Sequence, residues 1–263
     1  MSELLRRVLD DPAGLSIVDD PALHGVGAWS RPAAPGELPE WQAVLDAVEG
    51  AKDRLTMLEL GAGYGRWTVI AAAVLRRYRP ELRYRFLAVE AEPTHYRWLQ
   101  RYTRANGLPR WSRRGTCQLV EAAVSREAGR ERFYVGKASE WYGQQLARDR
   151  QLDEPTRRVR TIRLGSVLAR LDRVDLIDLD VQGAELEVLS EAAPWLGRVR
   201  RVHVETHTPE IDERLPGVFQ RAPGEWRAAY AVRFGGRCVN SLGEVDLVDA
   251  GVQVWRNDAA PIR

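Results

Sequence analysis

The chain has 263 residues, of which 44% are hydrophobic and 8% aromatic, so it can bury the core of one large domain and does not have a disordered composition. Its 39 basic and 37 acidic residues nearly cancel, and no basic run is long enough to follow a nucleic acid. The two cysteines, Cys117 and Cys238, lie far apart without metal-ligand spacing, which argues against a disulfide framework or a cysteine-based zinc site.

The first residues, MSELLRRVLDD, lack the apolar centre of a secretory signal. The most apolar run, residues 67–75, is too short to cross a bilayer. We therefore expect a soluble, cytoplasmic protein.

The beginning of the chain differs in composition from the rest. Residues 1–39 contain short apolar pieces between prolines and glycines, with a first helix expected at residues 3–9. A second helix is predicted at residues 40–49, where apolar side chains recur at helical spacing. We expect residues 1–39 to form an extension or lid over one domain that spans residues 40–263.

From residue 55 onward, strand-like and helix-like segments alternate. The predicted strands are residues 55–60, 84–91, 118–124, 131–135, 159–164, 174–180, 199–205, 230–234 and 252–255. The predicted helices are residues 66–77, 93–106, 166–171, 184–196 and 209–218. The segment after Gly129 interrupts the alternation and is predicted to be an inserted β-hairpin. This order predicts an α/β fold with a doubly wound, Rossmann-like, mostly parallel seven-stranded sheet.

A glycine-rich turn, ELGAGYGR, follows the first predicted strand at residues 59–66. Glycines here let the backbone approach a ligand at the carboxyl edge of the sheet. The candidate contacts are Gly61, Ala62, Gly63 and Gly65. A dinucleotide fingerprint would need glycine in place of Arg66, and the acid Glu59 would repel a pyrophosphate but suit an ammonium group. The turn therefore favours S-adenosylmethionine over a dinucleotide, and a tight turn without a ligand is the alternative.

Acidic residues also end the next two predicted strands. Glu90 and Glu92 project on the same side of the second strand, and we assign the ribose hydroxyls to Glu92 because it lies at the end of the strand. Glu121, at the tip of the third strand, is the candidate for the adenine amino group, with the small Ala122 beside the ring.

The stretch IDLDVQGAELEVL, residues 177–189, places Asp178 and Asp180 on one face of a strand that turns directly into a helix. Asp180 lies nearer the crevice and is the candidate to orient an acceptor, take its proton or hold a divalent cation. Asp178 lies deeper, where we expect a bond to a neighbouring loop. Glu185 falls in the first helical turn, where negative charge is favourable.

The next predicted strand ends with His203, Glu205 and His207 on one face. With an ordinary pKa near 6.5, a histidine there would supply a general base at neutral pH. The catalytic candidates are therefore Asp180, Glu205 and His207. If a metal binds, Asp180 and Glu205 are its candidate ligands. Substrate contacts are expected from Trp141, Tyr142, Gln144 and Gln182, with His24 and Trp29 as further lid candidates.

Taken together, four motifs resemble the FkbM family of class I S-adenosylmethionine-dependent methyltransferases. They are ELGAGYG, AEP, EAAVSREAGRERF and IDLDVQGAELEVL, and they cover roughly residues 55–208. The resemblance implies the class I methyltransferase fold with S-adenosyl-L-methionine as cofactor and S-adenosyl-L-homocysteine as product. It also implies methyl transfer, often onto hydroxyls of polyketides, sugars or other natural products. A divalent metal is left open.

The leading hypothesis is thus an O-methyltransferase that acts on a small hydroxylated natural product. A peptide-modifying methyltransferase is one alternative. The other is a non-catalytic cofactor-binding module, which would require loss of the acids at the strand ends. The expected partners are a small-molecule acceptor and, as one option, a second copy of the chain in a homodimer. Neither nucleic acid nor a membrane is expected.

Overall fold

A computed structural model describes residues 3–11, 14–18, 34–138, 143–147 and 153–260 of the chain. The helices in these ranges are α1 (Glu3–Leu9), α2 (Leu38–Gly50), α3 (Arg66–Tyr78), α4 (Pro93–Ala105), α5 (Leu164–Leu168), α6 (Glu185–Ala192) and α7 (Pro209–Arg221), with 3-10 turns at Pro35–Glu37 and Ala193–Arg198. The strands are β1 (Arg54–Leu60), β2 (Arg83–Glu90), β3 (Trp111–Ser112), β4 (Gly115–Glu121), β5 (Ala123–Val124), β6 (Gly129–Tyr134), β7 (Thr156–Ile162), β8 (Leu176–Leu179), β9 (Arg201–Thr206), β10 (Trp226–Val232), β11 (Arg237–Asn240), β12 (Gly243–Asp246) and β13 (Gly251–Asn257).

Eight strands form the central sheet in the order β10-β13-β9-β8-β1-β2-β4-β3. Strands β4, β2, β1, β8 and β9 are parallel, whereas β13 runs antiparallel to both β9 and β10. The short β3 pairs antiparallel with β4 at the edge. The predicted doubly wound, mostly parallel sheet is therefore confirmed, with seven longer strands and one two-residue edge strand.

The inserted hairpin is part of a separate three-stranded sheet with the order β5-β7-β6. Strands β6 and β7 pair antiparallel as expected, and β5 joins β7 in parallel. The predicted third strand, residues 118–124, is thus two strands in two sheets, separated at Ala122. The hairpin of β11 and β12 was not predicted, because its exposed, polar strands carry little apolar alternation.

Apolar strands bury both faces of the sheet between two layers of helices. In β1, Leu55 and Met57 face the core formed with α1, α2 and α3, whereas Leu58 and Leu60 face the core with α5, α6 and α7. Helix α1 contributes buried leucines to the first core, so this part of the extension packs on the main domain. Its action as a lid stays a prediction. Among the described helices, none combines the length and apolarity needed to cross a membrane.

Candidate functional site

A crevice of about 60 Å³ lies at the carboxyl ends of β1, β2, β4 and β8. One wall contains Gly61, Gly63, Glu90 and Asp180, while Gln144 covers it from the opposite side. Pockets for drug-sized ligands enclose about 300–1,000 Å³. The crevice as it stands is smaller than such a pocket.

The glycine turn forms this wall because two of its residues carry no Cβ. Gly61 has φ 82° and Gly63 has φ 53°, in the left-handed region that favours glycine. A Cβ on Gly61 would lie 1.6 Å from the carbonyl oxygen of Asp180, so glycine is what allows β1 and β8 to end side by side. The backbone N–H of Gly63 donates to Glu90 Oε2 at 2.7 Å, which joins the turn to β2.

Ala62 and Gly65 support the turn from behind and do not line the crevice. The Ala62 side chain packs with Ala88 and Leu99, and a Cβ on Gly65 would lie 2.3 Å from Leu99 Cδ1. Their role is therefore close packing of α4 against the turn.

The two acids at the end of β2 make different contacts. Glu90 lines the crevice and is buried, and burial raises its pKa to about 8. Glu92 instead caps α4, because its Oε2 accepts from the backbone N–H of His95 at 2.7 Å. The assignment of the ribose to Glu92 stays a prediction, but the Glu92 carboxylate is engaged at the helix start whereas Glu90 lines the crevice. Glu92 was preferred from the sequence because it lies nearer the end of the strand. It also stands directly before Pro93, and proline is a frequent first residue of a helix, so Glu92 occupies the capping position.

Glu59 is buried behind the turn, not at the crevice wall. Its oxygens accept from the backbone N–H groups of Trp67 at 3.0 Å and Thr68 at 2.9 Å, at the start of α3. Burial, with Asp178 nearby, raises the pKa of Glu59 to about 8. These contacts correct the predicted ammonium contact to a helix-capping role.

At the end of β4, Ala122 lines the crevice, as the sequence predicts for a residue beside the adenine ring. Glu121 is exposed and outside this wall, so its contact with the adenine amino group stays a prediction.

The predicted catalytic residues Asp180, Glu205 and His207 do lie together. His207 Nε2 is 3.4 Å from Asp180 Oδ1 and 3.9 Å from Glu205 Oε1. The fully buried Glu185 holds the other ring nitrogen, because its Oε1 is 2.9 Å from His207 Nδ1 and also accepts from the N–H of Gly183. From the sequence, Glu185 was placed in the first helical turn, and its contact with a histidine that follows the neighbouring strand was not predicted.

The charges in this cluster differ from the prediction. Burial disfavours charge on His207, but its hydrogen bond to Glu185 and the nearby Asp180 outweigh burial and raise its pKa to about 9. His207 is therefore a cation at neutral pH, and its predicted role as a base of ordinary pKa was wrong. Burial and the charge of Asp180 raise the pKa of Glu205 to about 7. Burial also raises the pKa of Asp180, and Glu185 adds to this shift.

Donor atoms of Asp180, Glu185 and His207 lie within 4.8 Å of one another and can surround a divalent cation. The predicted pair of Asp180 and Glu205 stays a prediction, and Glu185 stands closer to the ring of His207 than Glu205 does. Both ring nitrogens of His207 already face carboxylates, so the cluster is also balanced without a metal.

Asp178 was expected to bond to a neighbouring loop. Its Oδ1 instead lies 2.7 Å from Nδ1 of His203 on the adjacent strand, and both side chains are buried. The pairing follows from the register, since Asp178 and His203 are direct neighbours on β8 and β9.

A second, larger cleft of about 850 Å³ lies between α6 and the start of α7. His207, Glu210 and Phe234 are part of its wall, and Gln182 lines both this cleft and the crevice. Gln182 has φ 55°, which is rare for a residue with a side chain, and its Nε2 donates to Asp180 Oδ1 at 2.8 Å. The strained turn thus places Gln182 and Asp180 where the two cavities meet.

Residues 143–147, here named the strap, separate the same two cavities. The strap is bonded to β6, with Tyr134 N donating to Gln145 O and Ala147 N donating to Arg132 O, both at 2.8 Å. Gln144 lines the crevice, whereas Gln145 lines the cleft. The other predicted contacts, Trp141, Tyr142, His24 and Trp29, lie outside the described residues.

Comparisons with known proteins agree with this geometry. The strand order, with an antiparallel strand between the last two parallel ones, and a crevice at the glycine turn define a class I methyltransferase fold. The family model described as "Methyltransferase FkbM domain" matches residues 59–230, well over half of the chain. The chain therefore belongs to the FkbM family of S-adenosylmethionine-dependent methyltransferases, and the predicted family is confirmed.

Solved structures resemble the chain only distantly, and no curated protein matches its sequence. Precorrin 8W decarboxylase from Methanobacterium thermoautotrophicum is 12% identical with a TM-score of 0.45, covering 92% of this chain and 96% of that one. Precorrin-6y C5,15-methyltransferase from Geobacter metallireducens is 14% identical with a TM-score of 0.42, covering 82% and 86%. A putative RNA methyltransferase from Pyrococcus horikoshii is 10% identical with a TM-score of 0.43, covering 97% of each chain.

Proposed function

We propose that the chain is an O-methyltransferase that uses S-adenosyl-L-methionine to methylate a hydroxyl of a small, polar natural product. The observation that carries the proposal is the junction of two cavities at one turn. The crevice at the glycine turn and the larger cleft share Gln182, and Asp180 stands at this junction beside His207. A methyl donor in one cavity and an acceptor in the other would meet there.

The crevice residues suit the proposed cofactor. Gly61 and Gly63 leave the wall open to close approach, and the carboxylate of Glu90 is placed to accept hydrogen bonds from the two ribose hydroxyls. Ala122 offers a small apolar surface for the adenine ring. When bound, S-adenosyl-L-methionine supplies a methyl group that leaves its sulfonium with the bonding electrons staying on sulfur.

The cluster at the junction provides the acid–base chemistry. In the proposal, Asp180 accepts the proton that the acceptor hydroxyl loses as its oxygen attacks the methyl carbon. A raised pKa makes the carboxylate of Asp180 a stronger base than that of an ordinary aspartate, and His207 Nε2 at 3.4 Å and Gln182 Nε2 at 2.8 Å orient it. The protein otherwise aligns the reactants and excludes water, because the sulfonium methyl is already reactive.

The cleft wall supports a hydroxylated acceptor. Polar side chains from three parts of the chain face it, including Gln145, Ser190 and Thr208. Phe234 and Ile211 add apolar surface in the same wall. A mixed lining of this kind suits a ring that carries several hydroxyl groups.

The test is a comparison of Asp180→Asn and Glu205→Gln. Turnover is measured as S-adenosyl-L-homocysteine released with a panel of hydroxylated acceptors, and cofactor affinity is measured by calorimetry. We expect Asp180→Asn to keep its affinity for S-adenosyl-L-homocysteine within about twofold and to lose about 10²-fold or more in turnover, the scale of lost acid–base assistance. Full turnover in Asp180→Asn with loss in Glu205→Gln would transfer the role of the base to Glu205.

Two further measurements separate the alternatives. Loss of activity in chelator, restored by added divalent cation, would assign Asp180, Glu185 and His207 to a metal. Mass spectrometry and NMR of the product locate the methyl group, and a methyl on nitrogen or carbon would contradict O-methylation. A protein that binds S-adenosyl-L-homocysteine but methylates only peptides would support the peptide-modifying alternative.

A further inference from the structure

The small sheet presents a face on which arginines stand directly opposite one another. Arg130 of β6 pairs with Arg160 of β7, and Arg132 pairs with Arg158. All four are exposed. Like charges directly opposite on neighbouring strands destabilise a sheet, so this arrangement weakens the element that carries it.

The described residues offer these arginines no counter-charge. Arg132 donates to Thr156 Oγ1 at 2.9 Å, and Arg158 donates to the backbone oxygen of Arg130 at 3.5 Å. Neither contact involves a carboxylate, and within residues 3–11, 14–18, 34–138, 143–147 and 153–260 none of the four forms an ion pair. A shallow groove of about 340 Å³ is lined by three of these arginines, Arg130, Arg132 and Arg158, together with Thr156 and Arg157.

The face is compact, and its geometry fits a helix. Residues two apart on a strand are about 6.8 Å apart, and directly opposite residues have Cβ atoms about 5 Å apart. The four guanidinium groups thus form a small grid, and acidic side chains three or four residues apart on a helix lie about 5–6 Å apart. Each guanidinium can bind a carboxylate in a bidentate manner.

A nucleic acid fits this face less well. Single-stranded binding combines a basic groove along many phosphates with aromatic side chains on which bases stack. Here the charge is confined to one two-stranded face, and the exposed large apolar residues in the described ranges (Val18, Trp111, Val239, Val245 and Val248) all lie outside β6 and β7. The chain as a whole carries a formal net charge of only +2.

We propose that the outer face of β6 and β7, defined by Arg130, Arg132, Arg158 and Arg160, is a docking surface for an acidic helical segment of a protein partner. The same strands connect this surface to the site. Phe133, on the inner face of β6, lines the crevice, and the strap is bonded to the backbone of Arg132. A partner bound here would contact β6, the strand to which the strap is hydrogen-bonded.

The test uses three fluorescein-labelled probes and fluorescence anisotropy at low salt. The first is an alanine-based helical peptide with glutamates at i and i+4 in successive turns, the second has glutamine at those positions, and the third is a 20-nucleotide oligouridylate. We expect the glutamate peptide to bind, the glutamine peptide not to bind, and raised salt to weaken binding.

The double variant Arg130→Gln/Arg158→Gln should bind the glutamate peptide at least tenfold more weakly. It removes repulsion, so its fold should persist, which circular dichroism checks. The control is Arg83→Gln/Arg85→Gln, which removes the same charge from two exposed arginines that lie two residues apart on β2 and should leave binding unchanged. Equal loss of peptide affinity in both double variants would show that the peptide responds only to the net charge of the protein. Tighter binding of the oligouridylate would assign the face to nucleic acid. Either result, or no binding by the wild type, overturns the proposal.

Discussion

Glu90 and Glu92 are two residues apart, yet they serve different parts of the molecule. The Glu90 carboxylate is held by the backbone N–H groups of Gly63 and of Glu92, at 2.7 Å and 2.6 Å, which leaves it fixed at the crevice wall. Glu92 uses its carboxylate on α4. A carboxylate already oriented by backbone amides can bind ribose hydroxyls without losing side-chain freedom on binding.

Because its raised pKa keeps Glu90 largely protonated near neutral pH, Glu90→Gln should weaken the affinity for S-adenosyl-L-homocysteine by about 0.5–1.5 kcal/mol, the range for a hydrogen bond between neutral groups. Titration calorimetry measures the change. The control is Glu92→Gln, which should lower the free energy of unfolding by about 1 kcal/mol through the helix cap while affinity stays nearly constant. The reverse outcome, with affinity lost only in Glu92→Gln, would restore the assignment made from the sequence.

The sequence predicted which strand ends lie together, but it predicted few of the bonds that individual side chains make. The alternation of strands and helices and the spacing of the glycines were enough to predict the turn at Gly61, the acid at Asp180 and the strand end at His207. They were enough because the carboxyl ends of parallel strands lie at one edge of the sheet. They could not show that Glu59 caps α3 or that Glu185 reaches His207, since these contacts depend on how a helix start faces a strand. The carboxylates around His207, Glu185 above all, likewise raise its pKa against the effect of burial, and they come together only in the packed molecule.

At the scale of secondary structure elements, the ends of β1 and β8 control the site. Asp180 N donates to Leu60 O at 2.9 Å, and the carbonyl of Asp180 fills the space above Gly61. The glycine turn and the catalytic strand are thus one packed unit. Any side chain at Gly61 would have to displace backbone, which cannot rotate away as a flexible side chain can.

Gly61→Ala should lower the free energy of unfolding by several kcal/mol, because positive φ and the overlap with Asp180 act together. Gly107 is the matched control, with φ 71° and no atom within 4 Å of an added Cβ. Gly107→Ala should cost only about 1 kcal/mol, the penalty of the left-handed conformation. Urea denaturation of both variants gives the difference, and equal losses would show that the contact with Asp180 is easily relieved.

At the scale of the whole molecule, ionisable groups concentrate at one edge of the sheet. Glu59, Asp178 and His203 are direct neighbours across β1, β8 and β9. Asp180 and Glu205 lie two residues further along the chain than Asp178 and His203, respectively. Burial raises the pKa values of Glu59 and Asp178 to about 8, so the folded protein keeps protons there that the unfolded chain releases near pH 4. These acids lose their favourable protonated state as pH rises towards 8.

Stability should consequently fall as pH rises from about 4 to 8 because of these acids, and His207 extends the fall to pH 9. The pKa of His207 is raised to about 9, so the contribution of this cation is complete below its unfolded value near 6.5 and disappears as pH rises through 9. The groups that face it are Glu185, Asp180 and Glu205. With this shift the contribution is on the order of 3 kcal/mol.

Urea midpoints measured from pH 6 to 9 check this expectation. The midpoint of His207→Gln should be lower at pH 6 and should decline less than that of the wild type. The control is His95→Gln, because burial lowers the pKa of His95 and its contribution has the opposite sign. An unchanged slope in His207→Gln would mean that the histidine is neutral in the folded protein.

The strap also bears on how the two cavities respond to a change in sequence. Its consecutive residues Gln144 and Gln145 face different compartments, as expected for an extended segment, and it belongs to the connection between β6 and β7 instead of the central sheet. Insertion or deletion of one residue would exchange the faces, whereas changes of two residues would keep them. A change in this connection would therefore reshape both cavities together, whereas the ends of β1 and β8 belong to the central sheet and would stay in place.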